Sequence, residues 1–194
     1  MAVPRLRDCF PATVLLLSRF MKLVRWKRFI WQLPKLPPLD QTLPAHFIIR
    51  PASREEAKAV SHVVFTAFSL DSAWSDTLNL FRDRLEVQLD LAFSRESVPA
   101  LVLTHGPRII AASVLNTEID TDSNLVSGPC VLSEYGNRGL GTALLHASLR
   151  QLREAGLTRA AGITKENTTS CKFVYRKFGA ESATCEYSPA LAVT

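Results

Sequence analysis

The densest group of chemically useful residues in the 194-residue chain is the segment Val131-Leu132-Ser133-Glu134-Tyr135-Gly136-Asn137-Arg138-Gly139-Leu140-Gly141-Thr142. It reads as the end of a strand, a loop with three glycines and the start of a helix. Gly136, Gly139 and Gly141 permit positive φ and let a ligand approach backbone N–H groups closely. The first turn of a helix adds N–H donors that lack intrahelical acceptors, together with the positive end of the helix dipole. The Arg138 guanidinium and the Thr142 hydroxyl can bond phosphate oxygens. These groups together suit a diphosphate. A Walker A loop needs Gly-Lys-Ser/Thr, and this loop has no lysine. A dinucleotide fingerprint runs G-x-G-x-x-G early in a βαβ unit, whereas the order here is G-x-x-G-x-G deep in the chain. A turn that only packs a helix on a strand stays open as the alternative.

Other candidate chemistry is sparse. Cys9, Cys130, Cys171 and Cys185 have no zinc-ligand spacing, and His46, His62, His105 and His146 form no H-x-x-x-H pattern, so no metal site is expected. His146 reads as a packing or capping residue, and Cys130 and Cys171 as core thiols. The formal charge of +5 is unevenly spread. Residues 1–35 carry eight basic groups and one acidic group, for +7, and the other 159 residues carry 15 and 17, for −2. Polyanion binding is therefore not expected of the body of the chain. Residues 1–35 could contact nucleic acid or an anionic membrane, act as a targeting leader, or pack on the domain. No run of 18 apolar residues exists, so no membrane-spanning helix is expected.

The elements that must position the glycine loop follow from periodicity. Residues 14–33 mix apolar and basic side chains with an imperfect helical face, and the prolines at 34, 37, 38 and 44 make residues 34–45 an extended linker. The division expected is 1–45, a basic appendage and linker, and 46–194, the folded domain. His46 to Arg50 reads as a strand, Ser53 and Glu56 as a capping box, and a helix runs to Phe68. Asp76 is the expected cap of a second helix with the stripe Leu78, Phe81, Leu85, Leu89 and Ala92. Strands at 100–104 and 108–116 form a hairpin, and 125–132 is an interrupted strand. Gly139 opens the strongest helix, closed by Gly156. Strand 157–164, a helix from Thr168 or Thr169 to Phe178 and a strand at 181–187 complete an α/β or α+β domain.

The loop and the segment that follows resemble the GNAT superfamily of acyl-coenzyme A-dependent N-acyltransferases. The first signature, Arg or Gln, two variable residues, Gly, any residue, then Gly or Ala, is matched by Gly136-Asn137-Arg138-Gly139-Leu140-Gly141, with Gly136 in place of the Arg or Gln. The second is matched by Ile163-Thr164-Lys165-Glu166-Asn167 and Tyr175-Arg176-Lys177-Phe178-Gly179. The resemblance implies a mixed, mostly antiparallel central sheet flanked by helices, with acetyl-CoA as acyl-donor substrate. It implies that backbone groups of Val131, Leu132 and Ser133 pair with the pantetheine arm. The N–H groups of Asn137, Arg138, Gly139, Leu140, Gly141 and Thr142 would hold the pyrophosphate, and Asn167 would touch pantetheine. Tyr175 would be the acid for the leaving thiolate, and the base candidates are Glu118, just after the third strand, and Glu134, beside the glycine loop, with a solvated surface carboxylate as the alternative reading of each. Ser69 to Trp74, with Asp71 and Asp76, would line the acceptor site. The family uses two strands after the position of Gly179, so a partner's strand could be needed to complete the sheet.

The expected activity is transfer of an acetyl group to a primary amine of a small molecule or protein. The competing readings are a coenzyme A-binding module without turnover, and an acetyltransferase docked on RNA, a ribosome or a membrane by residues 1–35. A cytoplasmic location is expected, with a transit leader as the alternative, and a homodimer is possible.

Overall fold

Trp31 and Phe29 are the largest fully buried side chains among the described residues, and both lie in the segment that reads from sequence as a basic appendage. The structure, a computed structural model, describes residues 24–187. In it β1 (Trp26–Gln32) is the middle strand of a three-stranded antiparallel sheet, between β6 (Arg159–Lys165) and β7 (Glu181–Cys185). Phe29 faces Gly162 on one side and Ser182 on the other. Phe29 and Trp31 bury one face of β1, whereas on the other Trp26 is buried, Arg28 and Ile30 are half-buried and Gln32 is exposed. The cations in and just before β1 pair with carboxylates outside the strands: Lys27 lies 3.2 Å and Arg25 3.9 Å from Glu166, and Arg28 lies 2.7 Å from Asp122.

This corrects the division at residue 45, because residues 26–32 are integral to the folded unit. It also supplies from within the chain the strand that the family pattern left short after Gly179. Residues 14–23 of the expected helical segment, and Arg5, Arg7, Arg19 and Lys22, lie outside the described residues.

The second sheet has the order β2 (Phe47–Pro51), β3 (Ala100–His105), β4 (Arg108–Val114) and β5 (Cys130–Val131), all antiparallel. The helices α1 (Ala57–Leu70) and α2 (Leu78–Ser94) connect β2 to β3. The Ser53–Glu56 capping box forms before α1, with the Ser53 N–H donating to the Glu56 carboxylate at 2.9 Å. The stripe of Phe81, Leu85, Leu89 and Ala92 is buried as its spacing predicts. Thr77, rather than Asp76, precedes α2, because the Asp76 carboxylate is taken by Lys165. The helix α3 (Leu140–Glu154) buries Leu144, Leu145, Leu149 and Leu152. The helix expected before Gly179 is a single π-helical turn, Ser170–Val174.

The two sheets meet through Asn124. Its side-chain Oδ1 accepts the Ala161 N–H of β6 at 2.8 Å, and its own N–H donates to the Ala161 carbonyl at 2.8 Å. Its amide nitrogen donates to the carbonyls of Asn116 and Glu118, each at 3.0 Å. Beyond Leu125 the strands part, and β5 continues pairing with β4 alone. A proline-linker strap returns along α3, where His146 Nε2 meets the Pro37 carbonyl at 3.0 Å.

Replacing Phe29 by Ala should destabilise the protein by about 3–5 kcal/mol in urea titration, as for other fully buried aromatic side chains. A chain lacking residues 1–35 should lose its cooperative melt, because β6 and β7 lose the strand between them. A full melt retained by that truncated chain would refute the central placement of β1.

Candidate active site

Where the sheets part, a cleft of about 620 Å³ opens between β5, the start of α3, the end of α1 and the π-helical turn. Its floor is set by backbone chemistry. The Leu132 N–H donates to the Ile110 carbonyl at 3.0 Å, which completes the ladder with β4. Backbone groups alternate sides along an antiparallel strand. The N–H and C=O of Val131 therefore point away from β4, to the open edge of the sheet. This is the place where an extended amide-bearing chain could add hydrogen bonds.

At one end of the floor, Ser133 to Tyr135 make a 3-10 turn in which the Gly136 N–H closes on the Ser133 carbonyl at 3.0 Å. Asn137 and Gly139 both adopt left-handed backbone, with φ of 59° and 76°. Those two residues turn the chain so that α3 starts with its axis aimed at the cleft. The Gly139 carbonyl accepts the Ala143 N–H at 3.0 Å, while the N–H groups of Leu140, Gly141 and Thr142 have no carbonyl one turn back. Gln41, from the strap, covers Gly139 and donates its side-chain amide to the Arg138 carbonyl at 3.4 Å. A Cβ on Gly139 would sit within 2.3 Å of that carboxamide.

Several sequence-derived site residues come together here. Val131, Ser133, Asn137, Gly139, Leu140, Gly141 and Thr142 all line the cleft. Others do not. Leu132 is buried in the core, its N–H committed to Ile110. The Arg138 side chain turns outward, donates to the Glu134 carbonyl at 3.3 Å and covers the Tyr135 ring. Asn167 lies in a separate charged recess with Arg25, Asp76 and Lys172. The side of the cleft assigned to it is built instead by Thr169, Phe173, Val174 and Lys177.

Glu118 is a correction. Its exposed carboxylate pairs with Arg95 at 3.1 Å and lines a groove along α2, outside the cleft. Glu134 is likewise tied to Arg108, at 2.8 Å. Asp71 is the one carboxylate among the described residues that line the cleft, beside Phe68 and Trp74. Its Oδ1 accepts the Ala73 N–H at 2.9 Å, which turns the chain after α1. Trp74 packs edge-on against Phe68 and Phe81 and meets Trp26 of β1 at 6.0 Å between ring centres.

Tyr175 stands behind the wall of the cleft. Its ring is buried edge-on against Phe29 and Trp31, at 5.5 and 5.6 Å, and borders a small internal space with Trp26, Trp74 and Ser127. Its hydroxyl abuts Gly128, where a Cβ would come within 2.2 Å of the oxygen. Ser127 and Pro129, on either side of Gly128, face the cleft. Burial pushes the Tyr175 phenol well above its usual range, so it keeps its proton at physiological pH. Burial also pushes the Cys130 thiol up to about 12, and raises that of Cys171. Neither is a thiolate nucleophile at neutral pH. Among the described residues no His, Cys, Asp and Glu group could hold a metal ion, and no helix is long and apolar enough to cross a membrane.

Comparison with known proteins agrees with this geometry. The profile of the acetyltransferase (GNAT) family matches residues 68–180, and the chain belongs to that family. The family's acyl donor is acetyl-CoA. No curated protein matches the chain in sequence. Among solved structures, a GCN5-related N-acetyltransferase from Sphaerobacter thermophilus is similar at 16% identity, with a TM-score of 0.59, over 89% of this chain and 53% of its own. A GNAT-family acetyltransferase from Colwellia psychrerythraea is similar at 18% identity, with a TM-score of 0.57, over 83% and 53%. A GCN5-related N-acetyltransferase from Kribbella flavida is similar at 16% identity, with a TM-score of 0.53, over 89% and 62%. The chain thus spans little more than half the length of these structures. The likeness extends to the fold: antiparallel sheets flanked by helices.

Gly139→Ala should weaken acetyl-CoA binding by about tenfold or more in calorimetry, because its left-handed φ disfavours a side chain and Gln41 occupies the space. Gln41→Ala added to it removes the clash but not the backbone strain, so recovery should be partial. Full recovery would assign the whole effect to Gln41.

Proposed function

We propose that the protein is an N-acetyltransferase that moves the acetyl group of acetyl-CoA to a primary amine on an apolar or aromatic body. The observation that carries this reading is the two-sided lining of the cleft. One side offers backbone groups and a helix N-terminus. The other, Ala67, Phe68, Leu70, Asp71 and Trp74, offers apolar surface with a single carboxylate. Bound acetyl-CoA supplies an acyl thioester. The N–H groups of Leu140, Gly141 and Thr142 are suited to its pyrophosphate, and the open edge at Val131 to the amides of pantetheine.

Asp71 draws the protonated amine to the cleft and takes up the proton that it must lose before attack, directly or through water. The nitrogen then forms a bond to the carbonyl carbon, the C–S bond breaks, and the thiolate takes a proton from an acid, which is restored by the second proton that the nitrogen sheds on becoming an amide. Tyr175 is assigned as that donor, acting at the Gly128 backbone, where the missing side chain leaves its hydroxyl next to the cleft wall. The raised pKa values of Cys130 and Cys171 favour direct transfer over an acetyl-cysteine intermediate. A second reading, coenzyme A binding without turnover, draws on the position of Tyr175 behind the wall and on the absence of the long side chain at Gly136.

Acetyl-CoA binding by calorimetry, followed by turnover against a panel of amines, separates the two. Affinity without acetylated product supports the binding module, and no binding at millimolar acetyl-CoA rejects both. Asp71→Asn should lower kcat/KM for a cationic amine by about tenfold or more, while the affinity for acetyl-CoA stays within twofold. Tyr175→Phe should lower kcat more than about threefold where chemistry is rate-limiting. A smaller loss would leave Tyr175 a packing residue.

A further inference from the structure

Lys165, the last residue of β6, has a side chain only 3% exposed, yet it belongs to none of the three hydrophobic clusters. Its ammonium donates to the Ala73 carbonyl at 2.5 Å, to the Asp76 carboxylate at 2.5 Å and to the Thr77 hydroxyl at 3.3 Å. A lysine has three N–H donors, and here all three are spent on the loop between α1 and α2. The same ammonium lies 5.7 Å from the centre of the Trp74 ring. That loop is a tight turn in which the Trp74 N–H donates to the Asp71 carbonyl at 2.9 Å and the Thr77 N–H to the Trp74 carbonyl at 3.0 Å. Asp71 and Trp74, the cleft-lining residues of the turn, therefore move with it.

The main chain of Lys165 points to the opposite wall. Its carbonyl accepts the Thr168 hydroxyl at 2.9 Å and the Thr168 N–H at 3.3 Å. The Thr168 oxygen in turn accepts the Cys171 N–H at 3.1 Å and starts the π-helical turn that carries Phe173 and Val174 to the cleft. One residue thus holds one wall by its side chain and the other by its carbonyl.

We infer that Lys165 is a positioning residue that sets the separation of the two walls and so selects acceptor amines by size. The inference rests on the acetyltransferase reading of the cleft. Its ammonium, with all three donors engaged, has no proton-transfer role. A buried ammonium is unfavourable unless paired, so its value here lies in fixing where the loop sits.

The test uses the full chain with Lys165→Met, and with Thr77→Val, which removes one of the three acceptors while nearly keeping side-chain shape. Two readouts are taken. Hydrogen exchange of the amides of residues 73–78 should quicken by about tenfold or more in Lys165→Met, and less in Thr77→Val, while α3 amides are unchanged. The ratio of kcat/KM between a slender and a bulky amine should fall at least about fivefold, with the KM for acetyl-CoA within twofold. General loosening of the fold would raise exchange in α3 and the KM for acetyl-CoA as well, and would overturn the inference. An unchanged size ratio or unchanged loop exchange would also overturn it. If Lys165→Met does not fold, Thr77→Val decides. A parent chain that binds acetyl-CoA but acetylates nothing counts against the acetyltransferase reading alone, and loop exchange still decides whether Lys165 holds the wall.

Discussion

Everything at the cleft depends on the sheets being joined at one end and free at the other. Asn124 makes that join: it bonds Ala161 through both its side chain and its main chain, and it ties down the loop from Asn116 to Glu118. A buried side-chain amide with its oxygen and both amide hydrogens satisfied is a rigid hinge pin rather than a burial cost. Past it, β5 has a partner on one side only, and the polar edge at Val131 is left for a ligand. Zipping the sheets together along their length would bury more surface but would remove that edge.

The helix end and the strand edge are both backbone features, and this explains how a folded body with 19 basic and 17 acidic side chains over residues 24–187, for +2, can offer an anion site. The donors of α3 are aligned by left-handed turns at Asn137 and Gly139, and need no surplus of basic side chains. Among the described residues, the single cation that lines the cleft is Lys177. The basic residues near the start of the described chain have a different task. Arg25, Lys27 and Arg28 offset Glu166 and Asp122 around a central strand, in partly exposed pairs each worth at most about 1 kcal/mol.

How much of this was legible in the sequence varied with the range of the interactions concerned. The glycine loop, the capping box and the stripe of α2 were readable because each is decided within a few residues. The strand β1 was not. Its partners lie about 130 to 160 residues away, and its buried side chains, Trp26 on one face and Phe29 and Trp31 on the other, are interleaved with Lys27 and Arg28. Asn124 and Lys165 carry no local signal at all, since an asparagine after a polar loop and a lysine at a strand end are ordinary until their partners are known. Tyr175 shows the reverse limit. Its place in a motif was recognisable, but the direction of its ring is decided by Phe29, Trp31 and the bare backbone at Gly128.

The insertion of β1 between β6 and β7 has a consequence for biosynthesis. On the ribosome this strand is made well before the segments that flank it, which begin at Arg159 and Glu181. Two tryptophans and a phenylalanine stay without their native cover while more than 120 residues are added. Pairing over such distances is slow, and unpaired apolar strands invite wrong partners. The cations at Arg25, Lys27 and Arg28 fall on this very stretch, and like charges facing each other disfavour the pairing of two copies of one strand. In the finished sheet the same three cations pair with Glu166 and Asp122.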